Sequence, residues 1–265
     1  MRRATLELLR CPRCHAPSLV PDGPTPEPAL LFGPARCVGC STRFPVHEGL
    51  IDLVQERARP TGVQKAMEIP WVARSWERYV RPAVDAVLTR GRLDLDSEYT
   101  VLHNMVGAPD GPVVDLGCGS GTFLRRLVRD FKGVPVIGVD VSRPMLEEAM
   151  AQVREHALAA DFVRAEVPPL PFVDHSVSAI IASGFVHYVG DLHRLLDEVA
   201  RVLKPRGRFV ASTFESAGLT KPVQHSAGLF PRGELTLREC ADRAGLIHFE
   251  RMKVPPFLIW KVELP

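Results

Sequence analysis

Three glycines at alternate positions, Gly117, Gly119 and Gly121, separate the apolar run 113–116 from an amphipathic stretch that begins at Thr122. Glycine lets a backbone visit positive φ and come close to a ligand with no Cβ in the way. A strand, a glycine turn and a helix in that order belong to a parallel sheet with crossover helices, and the chain from Gly111 onward keeps to this plan. Strand-like runs recur at 134–139, 177–182 and 209–214. Between the last two, a predicted helix over 191–204 carries Leu192, Leu195, Leu196, Val199, Val202 and Leu203 at three- and four-residue steps, a face that packs on the sheet. The runs 248–254 and 257–264, joined at Pro255-Pro256, predict an antiparallel pair at one sheet edge. The spacing from Asp115 reads DxGxGxG rather than GxGxxG, and no lysine follows as a phosphate loop requires. Asp140 ends the next strand, 19 residues beyond Gly121, where a carboxylate can accept hydrogen bonds from both hydroxyls of a ribose.

The N-terminal quarter follows a different logic. Cys11 and Cys14 form one CxxC pair, Cys37 and Cys40 another. Two such knuckles supply four sulfurs to a closed tetrahedral zinc site, a structural metal that folds a segment too small to hold itself. Redox pairs or unrelated buried thiols are the alternatives. His15 and His47 read as surface residues, Cys118 belongs to the glycine turn, and Cys240 falls on the apolar side of a late helix. The proline-rich stretch 21–28 predicts an extended loop, and 44–54 a strand, a turn and a strand. These features divide the chain into a β-rich zinc unit over 1–54, a linker and helical segment over 55–110 with Trp71, Trp76 and Tyr79, and an α/β unit over 111–265.

Lys+Arg 33 against Asp+Glu 31 gives a formal charge of +2, which excludes a protein that holds nucleic acid by bulk charge alone. No apolar run reaches the roughly 18 residues of a membrane span, and the start lacks the apolar centre of a secretory signal. The expected location is the cytoplasm, with no membrane partner.

The glycine turn, the strand-end acid, the segment 162–172 ending in Leu170-Pro171-Phe172, and Lys204-Pro205-Arg206-Gly207 occur in one order. In these motifs, over about 76–262, the chain resembles the class I S-adenosylmethionine (SAM) dependent methyltransferases, particularly the UbiE-like branch. The resemblance implies a Rossmann-like seven-stranded sheet with its terminal strand antiparallel. It also implies that Asp115, Gly117 and Gly119 surround the methionine part of SAM, with Cys118, Val141 and Ser183 also in contact with the cofactor. Asp140 would hold the ribose, and Met145, Glu166 and Val167 the adenine. Glu166-Val167 replaces the usual Asp-Ala, and Arg206 stands where the family commonly has glycine. By the same resemblance Trp76 and Tyr79 lie on a helix that folds over the cofactor, with Tyr79 in contact with it. The first 54 residues resemble the zinc ribbons of the tRNA-methyltransferase activator family, with Phe44-Pro45 and 49–53 after the second knuckle. A ribbon in front of a methyltransferase also recurs in rRNA guanine methyltransferases and in plastid homologues of UbiE.

Methyl transfer needs alignment, exclusion of water and, for a protic acceptor, a base. His187, just past the fourth strand of the α/β unit, is the expected catalytic base, with Glu215 and His225 behind it. The favoured acceptor is a small aromatic or natural-product-like molecule. An rRNA base delivered by a ribbon bearing Arg2, Arg3, Arg10, Arg13 and Arg43 is the alternative, and a non-catalytic SAM-fold partner subunit a third. The ribbon could also dock a second copy as a homodimer.

Overall fold

The computed structural model describes residues 1–23, 30–54, 62–215 and 228–265. Residues 55–61 of the linker expected to run to Gly62, most of the proline loop and His225 therefore lie outside the described residues. The chain begins with helix α1 (Arg3–Glu7) and strands β1 (Leu19–Pro21), β2 (Phe32–Cys37), β3 (Arg43–His47) and β4 (Leu50–Asp52). Helices α2 (Gly62–Met67), α3 (Pro70–Ser75) and α4 (Arg81–Thr89) follow, with a π turn at Trp76–Val80 between the last two, and then α5 (Leu95–Val106). The alternating part runs β5 (Val113–Leu116), α6 (Thr122–Asp130), β6 (Val136–Asp140), α7 (Arg143–Glu155), β7 (Asp161–Arg164), β8 (Val177–Ser183), α8 (Leu192–Val202) and β9 (Leu203–Phe214). Helix α9 (Glu234–Arg243) and the hairpin β10 (Ile247–Val254) and β11 (Phe257–Glu263) close it.

The seven strands β5 to β11 are ordered β7-β6-β5-β8-β9-β11-β10, with β11 antiparallel to β9. That is the expected sheet. Its strands β5 and β8 are buried on both faces, as parallel strands between helix layers must be. Helix α8 stops at Val202, short of the predicted 204, because Leu203 already joins β9 and pairs with Val177. Arg206, at the family's glycine position, sits at φ 65 in left-handed backbone.

The sheet does not end with the alternating part. Strand β4 pairs in parallel with β7, Leu50 to Phe162 and Asp52 to Arg164, so β1 to β4 extend one eleven-stranded sheet. Around the seam, Asp161 accepts hydrogen bonds from Arg2 Nε (2.6 Å) and Thr5 Oγ1 (2.5 Å). Arg164 donates to Asp52 (2.8 Å) and to the Val141 carbonyl (3.0 Å). Leu6, Leu9, Leu19 and Ile51 are fully buried in the same core as Ile137 and Val163. The ribbon is thus welded to the sheet edge beside the strand that ends in Asp140.

Candidate functional site

Two sites emerge from these elements. The first is the cysteine cluster. In each knuckle the chain closes the same turn: His15 N–H donates to Cys11 O and Ser41 N–H to Cys37 O, with His15 and Ser41 both in left-handed backbone. Gly39 is required because a Cβ there would meet the Ala16 Cβ at 2.7 Å. Cys11, Cys14, Cys37 and Cys40 bring their sulfurs within 4.8 Å of one another, with Cys11–Cys40 at 3.7 Å and Cys14–Cys37 at 3.6 Å. A tetrahedral zinc with Zn–S near 2.3 Å requires sulfurs about 3.8 Å apart, so the four fit the ion and leave no open coordination position.

The second is a cavity of about 1020 Å³ over the carboxyl ends of β5, β6, β8 and β9, where ligands sit in open α/β sheets. Its floor is the glycine turn. Gly117 has φ +73 and a Cβ there would meet the Phe185 ring at 2.5 Å, whereas a Cβ on Gly119 (φ +52) would enter open space. Gly119 N–H donates to Asp140 Oδ2 (2.9 Å) and Ser142 N–H to Asp140 Oδ1 (2.8 Å). One carboxylate thereby ties the turn to the next strand while lining the cavity itself. Burial raises the Asp140 carboxyl above its ordinary range, opposed by these backbone donors. Val141, Met145, Glu166, Val167, Cys118 and Ser183 line the same hollow. Asp115 lies beneath the turn, 3% exposed, with Oδ2 lacking a hydrogen-bond partner among the described residues; burial pushes it up to about 7.

His187 lines the cavity with its ring between Tyr188 and Phe214, and its Nδ1 has no hydrogen-bond partner among the described residues. Burial, helped by the positive charges of Arg81 and Arg232, pushes it down to about 3, so it is a neutral imidazole at pH 7 and a weak proton acceptor. Glu215 also lines the cavity and pairs with Lys253 at 2.5 Å. Tyr79 is not brought in: it is 61% exposed, and Trp76 and Val80 face the cavity instead. The π turn accounts for this, because an extra residue in the turn rotates the following face of the helix.

Sequence reasoning passed over a buried network at one wall. Glu98, 1% exposed, accepts from Ser183 Oγ and Ser212 Oγ, each at 2.6 Å, and from Arg81 Nη2 at 2.9 Å. A signal was available: Glu98 stands in register with Leu95, Leu102 and Val106, so a carboxylate occupies the core face of α5. Arg81 joins α4 to the sheet through this network and through Ser183 Oγ (2.7 Å).

Comparison with known proteins meets the geometry at this point. Residues 113–207 match the family described as a methyltransferase domain. That match marks the stretch from β5 into β9 as a methyltransferase domain. An Arabidopsis thaliana protein named as an uncharacterised chloroplastic methyltransferase is 27% identical over 223 residues, covering 78% of this chain and 62% of its own length. The Bacillus subtilis methyltransferase YodH is 33% identical over 126 residues, covering 46% of this chain and 50% of its own length. The chain thus spans less than two thirds of these curated relatives. Phosphoethanolamine N-methyltransferase 2 of Haemonchus contortus, solved in complex with SAM, superposes with a TM-score of 0.61 at 16% identity over 73% of this chain and 56% of its own, a likeness of fold. Among the described residues no helix is long and apolar enough to cross a membrane.

Proposed function

We propose that this protein transfers the methyl group of SAM to a small, largely apolar acceptor, and that the zinc ribbon is structural. The carrying observation is the cavity. At about 1020 Å³ it is at the upper end of the roughly 300–1,000 Å³ of a single-ligand pocket, room for a nucleoside cofactor and an acceptor side by side. Its cradle suits the cofactor: open space above Gly119, a carboxylate at Asp140, and a buried Ser120 hydroxyl with no hydrogen-bond partner among the described residues. In this reading Asp140 and Val141 hold the ribose. Met145, Glu166 and Val167 flank the adenine, and Asp115, Gly117, Cys118, Gly119 and Ser183 surround the methionine part.

When bound, SAM supplies an electrophilic methyl on a sulfonium. The chain's task is then to align the acceptor and exclude water. Trp71, Trp76 and Val80 roof the cavity from the lid side, and Phe214 and Phe257 wall it from the sheet side. His187 is assigned to acceptor contact: a neutral ring with an unpartnered Nδ1 orients a polar group, and takes a proton only from an acceptor acidic enough to release it to a weak base. The division at 54 and 110, with 62–89 as the lid, and a cytoplasmic location belong to the same proposal.

The small acceptor is favoured over RNA by how the ribbon's arginines are used. Arg36 and Arg43 both pair with Asp22, Arg2 pairs with Asp161, and Arg13 donates to Thr42. Arginines already bonded to groups of the protein have less charge free for phosphate contacts. Incubating the full chain with radiolabelled SAM and separate RNA and small-molecule fractions of a bacterial extract tests the reading. Label is expected in the small-molecule fraction, and label confined to RNA would reverse it.

A further inference from the structure

The acceptor end of the cavity holds one feature that packing leaves unexplained. Asp85 lies on α4 between Val84 and Leu88, and all three line the cavity together with Phe214 and Phe257. Its Oδ2 is buried without a hydrogen-bond partner among the described residues; the Arg81 Nε lies 3.5 Å away as an ion-pair contact. Arg81 spends its stronger bonds on Glu98 and Ser183. A buried carboxylate oxygen short of donors is costly, and its apolar neighbours supply none beyond the Arg81 ion-pair contact. A ligand that brings a donor to that point recovers that cost.

From this we infer that Asp85 selects the acceptor: the substrate is an apolar body carrying a protic group, O–H or N–H, which donates to the Asp85 carboxylate while the body lies against Val84, Leu88, Phe214 and Phe257. The inference deepens the methyl-transfer reading and rests on it. Burial raises the Asp85 carboxyl while Arg81 opposes, so the acceptor oxygen lies next to a cation in a dry setting, where a hydrogen bond discriminates most. Asp85 acts here as a specificity-determining residue, set on the lid so that closing the lid and making the hydrogen bond are one event.

The test needs no knowledge of the natural substrate. Binding of 4-butylphenol and of 4-butylanisole, which differ by replacement of O–H with O–CH3, is followed through the fluorescence of Trp71 and Trp76 in the full zinc-loaded chain. Wild type is expected to bind the phenol at least about tenfold tighter than the ether. Asp85→Val should bring the two within twofold of each other, and Asp85→Asn, whose amide oxygen still accepts, should keep a preference of a few-fold. SAM binding, measured separately by calorimetry, should stay within twofold in both variants. Equal binding of the two probes to wild type would overturn the inference. So would a preference that survives in Asp85→Val, or loss of SAM binding in Asp85→Val and Asp85→Asn alike, which would move the carboxylate to the cofactor side. Failure of the methyl-transfer reading shows differently: wild type would bind no SAM while its phenol preference still marked Asp85 as a ligand contact.

Discussion

The ribbon and the lid are both small additions to one methyltransferase sheet, and they are attached in opposite ways. The ribbon shares a β ladder with β7, buries Leu6, Leu19 and Ile51 completely, and places four sulfurs at zinc-ligand spacing. The lid buries Val72, Ala73 and Thr89 but leaves Trp71 64%, Tyr79 61% and Val87 79% exposed. Its deepest tether is Arg81. The contrast separates two uses of an appended segment. A ladder plus a closed metal site fixes geometry permanently, whereas a helical segment held by side-chain bonds such as Arg81 to Glu98 and Arg125 to Glu77 over a large cavity can open and close for ligands.

The largest effect expected from this contrast concerns the metal. Chelation of zinc, or Cys37→Ser, should strip hydrogen-exchange protection from 1–54 first, because a structural zinc contributes on the order of 10 kcal/mol to a domain of this kind. Unchanged protection there would mean that the ladder alone holds the ribbon. Next in size is the lid's tether. Arg81→Ala leaves the buried Glu98 carboxylate with two serine donors and no counter-ion, and should cost about 3–5 kcal/mol in urea denaturation. A loss under 1 kcal/mol would show that the lid is held elsewhere.

A pH effect of about 2 kcal/mol follows from His187, which lies under the lid. Its folded-state value, near 3, is below the ordinary 6.5. On acidification the unfolded chain therefore takes up the proton first. Stability from this group is complete above about pH 6.5 and declines as pH falls from there toward 3, by about 2 kcal/mol at pH 5. His187→Phe should flatten that slope in melting curves recorded between pH 7 and 5; an unaltered slope would mean that the ring is solvated. The smallest effect is Tyr79→Ala, on the outer side of the lid, expected to change stability by under about 0.5 kcal/mol and to leave SAM affinity alone. A tenfold loss of affinity would restore Tyr79 to the cofactor.

What could be read in advance was whatever local chemistry dictates. CxxC spacing follows from the bite of a metal, alternate glycines from positive φ, and Asp140 from its place at a strand end, and each lies where its chemistry requires. The β4–β7 pairing was hidden because nothing in 50–52 names a partner more than 100 residues away; the run reads as a strand of either unit. Tyr79 was expected at the cofactor because the resemblance puts it with Trp76 on the covering helix, whereas across the π turn at Trp76–Val80 only Trp76 and Val80 line the cavity and Tyr79 is 61% exposed. Nothing in the sequence pattern singles out Arg81 or Asp85; the fold sets the first against Glu98 and the second on the cavity wall.

The claim on which the rest depends is that the glycine turn and Asp140 together seat the nucleoside of SAM. Calorimetric titration of SAM into wild type and Asp140→Ala measures it directly. Loss of two charge-assisted hydrogen bonds at roughly 1.5 kcal/mol each predicts about a hundredfold weaker binding in the variant. Equal affinity in the two proteins would contradict it.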